Sequence, residues 1–273
     1  MEPAWLAWAR RLNALAQTGS AFAEKVCSSQ PEEDVVYMAA NGDQPHEPID
    51  RRRLVISTTG SMLILVLCLF LPAGTWAWTR GWLFLILVTP ASFLSILYLR
   101  RVNPDVIAGR VNRHQGTKRW DRILFAIALP TVMAIPTLAA LDDGRFHWSH
   151  LPWWGCVLGY ALLITGMVGL TWAQSVNKFF EPTVRIQTDR GHKVIDTGPY
   201  AIIRHPGYVS AYLAFVGMPL ALGSLWVALI PAILMVPALV LKTLWEDQTL
   251  QEELPGYKEY AKRVRYRLLP GVW

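Results

Sequence analysis

The chain has 273 residues, of which 53% are hydrophobic, with a mean hydropathy of +0.27 and a net charge of +6. That balance is too apolar for a disordered chain and unusual for a soluble domain, whose apolar residues are broken up by periodic charge. The three cysteines, Cys27, Cys68 and Cys156, are scattered and odd in number, which excludes a disulfide framework and offers no metal-ligand spacing.

Residues 1–50 lack the basic start, apolar stretch and cleavage site of a signal peptide. Trp5, Trp8, Leu12, Leu15 and Phe22 recur at roughly helical spacing among Arg10, Arg11 and Lys25, which predicts an amphipathic helix lying on a membrane or capping its cytoplasmic face. Residues 28–50, rich in Pro, Asp, Glu, Ser and Gln, read as a linker. Six apolar runs follow, at 54–74, 82–99, 123–141, 153–174, 208–223 and 225–244. A bilayer core needs about 20 helical residues, so the sequence predicts an all-α membrane protein with about six transmembrane helices, the fifth of them short. Only Gly223-Ser224 separates the last two runs, which makes them a tight hairpin.

Nearly all the charge lies in the links. Arg51, Arg52 and Arg53 precede the first run, a cluster from Arg100 to Arg122 follows the second, and Lys178, Arg185, Arg190, Lys193 and Arg204 follow the fourth. Lys258, Lys262, Arg263, Arg265 and Arg267 come after the last, while the alternate links hold only Arg80 and Arg145. This positive-inside asymmetry predicts cytoplasmic termini and a multi-pass protein, in the cytoplasmic membrane of a bacterium, whose long links face the cytoplasm. It also accounts for the basic balance without nucleic acid. Arg263, Arg265 and Arg267 read as headgroup or orientation charges, and Glu252-Glu253 as a charged helical face.

The link at 175–207 differs in kind. Apolar, aromatic and ionisable residues alternate along it, with turns at Asp189-Arg190-Gly191 and Asp196-Thr197-Gly198-Pro199. A solvated loop has no need of that pattern, so the link is predicted to be a folded re-entrant segment at the membrane surface. It contains HKVIDTGPYAIIRHPGY, from His192 to Tyr208. Beyond the hairpin come Glu246-Asp247-Gln248-Thr249-Leu250, Glu252-Glu253-Leu254, and Gly256-Tyr257-Lys258-Glu259-Tyr260.

These paired motifs resemble the isoprenylcysteine carboxyl methyltransferase family and its phospholipid methyltransferase relatives. The resemblance covers about residues 158–273 and divides the chain into residues 1–50, N-terminal membrane helices at 51–157, and a methyltransferase-like region at 158–273. It implies S-adenosylmethionine as cofactor and a lipophilic or prenylated methyl acceptor entering from the bilayer, with membrane lipids as surroundings and neither metal nor nucleic acid. It places cofactor contacts at His192, Val194, Thr197, Gly198, Tyr200, His205, Pro206, Tyr208, Glu246 and Asp247. Arg204, His205 and Glu246 fall at positions implied to be catalytic. The chemistry suits: Arg204 pairs with a carboxylate, and Glu246 and Asp247 can accept hydrogen bonds from a ribose or ammonium group. Asp247 stands where the family usually has glutamate, which shortens that contact. Two other readings share the hydropathy pattern. A sterol-reductase-like oxidoreductase would carry a different C-terminal pattern, and a non-catalytic membrane scaffold would have no use for Arg204, His205, Tyr208 and Glu246 together.

Overall fold

A computed structural model describes residues 51–111 and 118–273; the amphipathic helix and linker expected within residues 1–50 lie outside the described residues. Helix α1 (Arg51–Ala73) and helix α2 (Thr79–Val102) form the first hairpin. At about 1.5 Å per residue, their 23 and 24 residues exceed the roughly 30 Å of a hydrocarbon layer. Helix α2 stops at Asn103 because Pro104 follows, and a residue before proline avoids the helical region. Asn103 then donates from Nδ2 to the carbonyl of Gln174 at 2.7 Å, tying this end to a later helix. Proline at a first helical position sacrifices no bond, and Pro104 opens the short α3 (Pro104–Val111).

Helix α4 (Arg119–Ala139) runs into a π-helical turn, Ala140–Phe146, and α5 spans Trp153–Val176. After the irregular segment 177–205 come α6 (Pro206–Ala221) and α7 (Leu225–Leu229). A π-helical turn over Ile230–Leu234 joins α7 to α8 (Met235–Glu253), and α9 (Tyr257–Arg263) follows. No strand occurs among the described residues.

Five stretches are long and apolar enough to cross a membrane: 55–73, 79–102, 119–146, 153–176 and 225–253. Large apolar side chains cover their outer faces, with Leu71 and Trp153 three-quarters exposed, as lipid contact allows and water does not. The fifth predicted run, at 208–223, is α6, whose 16 residues reach about 24 Å and so are short, as its sequence led one to expect. It packs along α5. A side chain at Gly159 would strike the backbone of Ala221, and one at Gly166 would come within 2.5 Å of the carbonyl of Ser210. Glycine at these two positions lets the backbones meet, which is how helices pack where lipid removes the hydrophobic drive.

At one end of the bundle, the α1–α2, α4–α5 and α6–α7 connections are knotted by two buried carboxylates. Asp142 accepts from the amide of Ser149 at 2.7 Å, from Ser149 Oγ at 2.5 Å and from Ser224 Oγ. Asp143 accepts from Trp78 Nε1 at 2.8 Å and pairs with Arg80. The other end, where α2, α5 and α8 finish and α4 and α6 begin, carries the segment 177–205 and the motif residues.

Candidate active site

The segment 177–205 has little regular structure, two single 3₁₀ turns at Thr188–Arg190 and Gly198–Ala201, yet it is firmly folded. Its organiser is Glu181, which accepts from Arg185 Nε at 2.9 Å and Nη2 at 3.1 Å and from Arg190 at 3.4 Å. Arg190 also donates to Gln187 Oε1 at 2.7 Å and to the carbonyls of Lys178 at 3.0 Å and Asp105 at 3.2 Å, so it fastens the segment to α3. Buried charge is tolerated only when paired and bonded, and here it replaces the missing backbone ladder. Arg185 and Arg190 are therefore structural partners as well as basic link residues.

Gly198, at φ +58°, turns the chain back against Trp172 and Val176 of α5. The amides of Arg204 and His205 then donate to the carbonyls of Tyr266 (2.9 Å) and Arg267 (3.0 Å), which docks the C-terminal segment under the motif. Pro206 opens α6 immediately afterwards. Between this segment, α8 and α9 lies a cavity enclosing about 830 Å³ of free space including its open mouth. His192, Val194, Tyr200, Arg204, His205, Tyr208 and Glu246 line it. Thr197, Gly198, Pro206 and Asp247 do not: the first three shape the turn and the helix start, and Asp247 stands behind the wall, 1% exposed.

Asp247 is the electrostatic hub. It accepts from Arg204 Nη1 at 3.0 Å, Arg267 Nε at 3.0 Å, Gln251 at 2.9 Å and Tyr257 Oη at 3.1 Å. Burial, followed by the charges of Asp247 and Glu246, pushes the Tyr257 phenol far up, so it stays protonated as a donor. Tyr200 and Tyr260 are likewise pushed up by burial; Tyr260 donates to the Tyr200 carbonyl at 2.8 Å, and Asn177 donates to the Tyr200 hydroxyl at 3.1 Å. Arg267, read from sequence as an orientation charge, is thus a partner of the hub.

Glu246, one residue before the hub, faces the cavity and accepts from the Tyr208 hydroxyl. The Tyr208 ring stacks on His205 with centroids 5.6 Å apart and planes at 10°. His192 packs on Phe179 with centroids 4.5 Å apart, and its Nδ1 accepts from the amide of Gln187 at 3.3 Å. Two polar atoms at the wall stay unsatisfied. Arg204 Nε and His205 Nε2 are buried without a hydrogen-bond partner among the described residues. His205 Nε2 lies 3.5 Å from an Asp247 oxygen, too long and too poorly aimed to count as bonded. Buried polar atoms are seldom left so, although Tyr160 Oη and Gln174 Nε2 are also unpartnered among the described residues; what sets Arg204 and His205 apart is that both residues line the cavity. A cofactor with a carboxylate, an ammonium group and hydroxyls fits this donor set: Arg204 and His205 offer donors, Glu246 an acceptor, and Tyr200 and Tyr208 flat walls. Phe179, Glu181, Arg185 and Gln187 also line the cavity, although the sequence motif begins only at His192.

Comparison with known proteins points to the same part of this helical bundle. Residues 154–255 match the phospholipid methyltransferase family, which is related to the isoprenylcysteine carboxyl methyltransferases, so the stretch that carries most of the cavity wall is similar to membrane methyltransferases. Among curated proteins, the chain is similar to the nickel-cobalt-cadmium resistance protein NccN of Alcaligenes xylosoxydans xylosoxydans, at 32% identity over 141 residues, 50% of this chain and 62% of that protein. It is also similar to the cobalt-zinc-cadmium resistance protein CzcN of Cupriavidus metallidurans, at 33% identity over 119 residues, 42% of this chain and 53% of that protein. The matches thus span less than two thirds of either relative's length.

Proposed function

We propose that this chain is an integral-membrane, S-adenosylmethionine-dependent methyltransferase that methylates a lipophilic acceptor entering from the bilayer, in the manner of an isoprenylcysteine carboxyl methyltransferase. The single observation that carries the reading is the cavity wall that brings Arg204, His205 and Glu246 together, with Arg204 Nε and His205 Nε2 left without hydrogen-bond partners among the described residues. S-adenosylmethionine would bring a methyl group on a sulfonium, activated for in-line displacement. The protein's part is alignment and exclusion of water. Arg204 and His205 would hold the cofactor's carboxylate end, and Glu246, oriented by Tyr208, its hydroxyl or ammonium groups. A carboxylate acceptor is already a nucleophile; an amine or hydroxyl acceptor would need Glu246 or His205 to take its proton. The site would face the cytoplasm if the basic links do. The relatives' names add a setting: methylation of a membrane component within nickel, cobalt, zinc or cadmium resistance.

Calorimetry with S-adenosylmethionine and S-adenosylhomocysteine on the detergent-solubilised chain tests this directly. Binding of both, absent for nicotinamide cofactors, is the expected result. Binding of a nicotinamide cofactor alone, as for a sterol-reductase-like enzyme, or of nothing, as for a scaffold, overturns it. Lipid analysis of cells fed labelled methionine, with and without the gene, then identifies the acceptor.

A further inference from the structure

The first half of the chain, outside the matched family segment, reaches the wall of the site through Asp121 as well as through Asp105 and Lys118. Asp121, in the first turn of α4, is fully buried and makes two bonds in two directions. Its Oδ2 accepts from the amide of Val184 at 2.7 Å, and Val184 returns the connection by accepting from the amide of Lys118 at 3.1 Å. Its Oδ1 pairs with the ammonium of Lys242 on α8. Val184 belongs to the cavity wall. Lys242 lies one helical turn before Glu246, and its ammonium sits 5.9 Å from the centre of the Tyr208 ring, the ring whose hydroxyl holds Glu246. The groups around this pair are thus Val184 from the wall, Lys118 from the link before α4, Tyr208 from α6, and Glu246 further along α8.

We propose that Asp121 and Lys242 are positioning residues of the methyl-transfer site: Asp121 clamps the cavity wall at Val184, and Lys242, held by Asp121, fixes the Tyr208 ring and through it the direction of Glu246. The proposal builds on the functional reading above and extends it to a half of the chain that no motif covers. A fully buried carboxylate in the first turn of a membrane helix is costly, and its retention needs bonds on both oxygens. The cation over an aromatic face restrains the ring without touching any ligand. Neither residue reaches the cavity, so neither is a catalytic residue.

Two variant pairs separate the arms of this device, each neutral so that no lone charge stays buried. In Asp121→Ala with Lys242→Met, both connections are gone. Hydrogen exchange at the Val184 amide should rise about tenfold or more while the amides of α5 keep their protection, and S-adenosylhomocysteine affinity should fall about tenfold. In Asp121→Asn with Lys242→Met, an acceptor for Val184 remains but the cation is lost. Val184 protection and cofactor affinity should then stay within about threefold, while kcat falls about tenfold, and Lys242→Arg alone should keep most of kcat. Unchanged exchange at Val184 in the first pair overturns the clamp. Wild-type kcat in the second pair overturns the role of Lys242. A wild-type chain that binds no S-adenosylhomocysteine would end the methyltransferase reading and the positioning role with it, whereas a failure of the variants alone would leave the methyltransferase reading standing.

Discussion

The two ends of the bundle handle buried charge in opposite ways. At the α4–α5 end, Asp142 and Asp143 are closed off by Ser149, Ser224, Trp78 and Arg80, all from neighbouring connections. At the α5–α6 end, Asp247 is just as well bonded, but Arg204 Nε and His205 Nε2 beside it have no partner among the described residues, and both residues line a cavity. A network that satisfies itself is a structural knot. Unmet donors on residues that line a cavity are a different arrangement, with room beside them for a ligand. The contrast separates a polar cluster that holds helices together from one that would also hold a ligand.

Arg204→Ala should break this contrast most severely. Arg204 serves Asp247 on one edge and the cavity on another, so its loss should cost stability as well as affinity. Breaking a buried pair costs about 3 kcal/mol or more, with the lower figure expected here because Arg267 still faces Asp247. Arg204→Lys separates the two roles, since a lysine keeps the charge but lacks the second edge. It should regain part of the melting temperature and little of the S-adenosylhomocysteine affinity. Full recovery of affinity in the lysine variant would mean that the unmet Nε has no ligand to serve.

The far end should give the opposite pattern. Asp142→Asn replaces one of three-fold-bonded Asp142's acceptor oxygens with a donor, against Ser149 and Ser224. Leaving such a buried group unsatisfied costs about 1–3 kcal/mol, visible as a lower melting temperature in detergent. Cofactor affinity should not change. A loss of affinity would show that the two ends are coupled and that the knot is more than a fastening. Tyr208→Phe comes next in size. It frees Glu246 without removing a charge, and the expected loss is about tenfold in turnover, near the lower end for a hydrogen bond to a carboxylate, with little change in stability.

Much of this fold was legible because hydrophobic runs of membrane length have few alternatives. The run predicted at 153–174 became Trp153–Val176, and that at 82–99 became Thr79–Val102. The run at 208–223, legible as a short helix, became Pro206–Ala221, but composition could not show that it packs along α5. In the site, the motif marked the cavity wall from His192 to Glu246. Thr197 and Gly198 were legible as a turn but not as lying outside the cavity, since a turn residue and a ligand contact look alike in sequence. Glu181 and Arg185 escaped because a charge pair four residues apart in an irregular segment has no periodicity to announce it. Asp121 and Lys242 lie far apart in sequence at the ends of apolar runs, where a charge ordinarily marks only a boundary.

Arg267 shows the same ambiguity on a basic residue, and it allows the mildest test. Positive-inside counting assigns it to orientation, whereas the structure pairs its Nε with Asp247 at 3.0 Å and lays its guanidinium 5.3 Å from the centre of the Trp273 ring. With 28% of its side chain exposed, the pair is partly screened, so Arg267→Met should cost no more than about 1 kcal/mol. An orientation charge would be replaceable by any cation, and Arg267→Lys would then match the wild type in every respect. A hub partner differs, because lysine cannot reproduce the Nε donor while stacking on the ring. Both variants should therefore weaken S-adenosylhomocysteine binding by a similar factor of about two to five, through a less firmly held Asp247 and Arg204. Equal affinity for wild type and Arg267→Met would return Arg267 to the surface and confine the hub to Arg204, Gln251 and Tyr257.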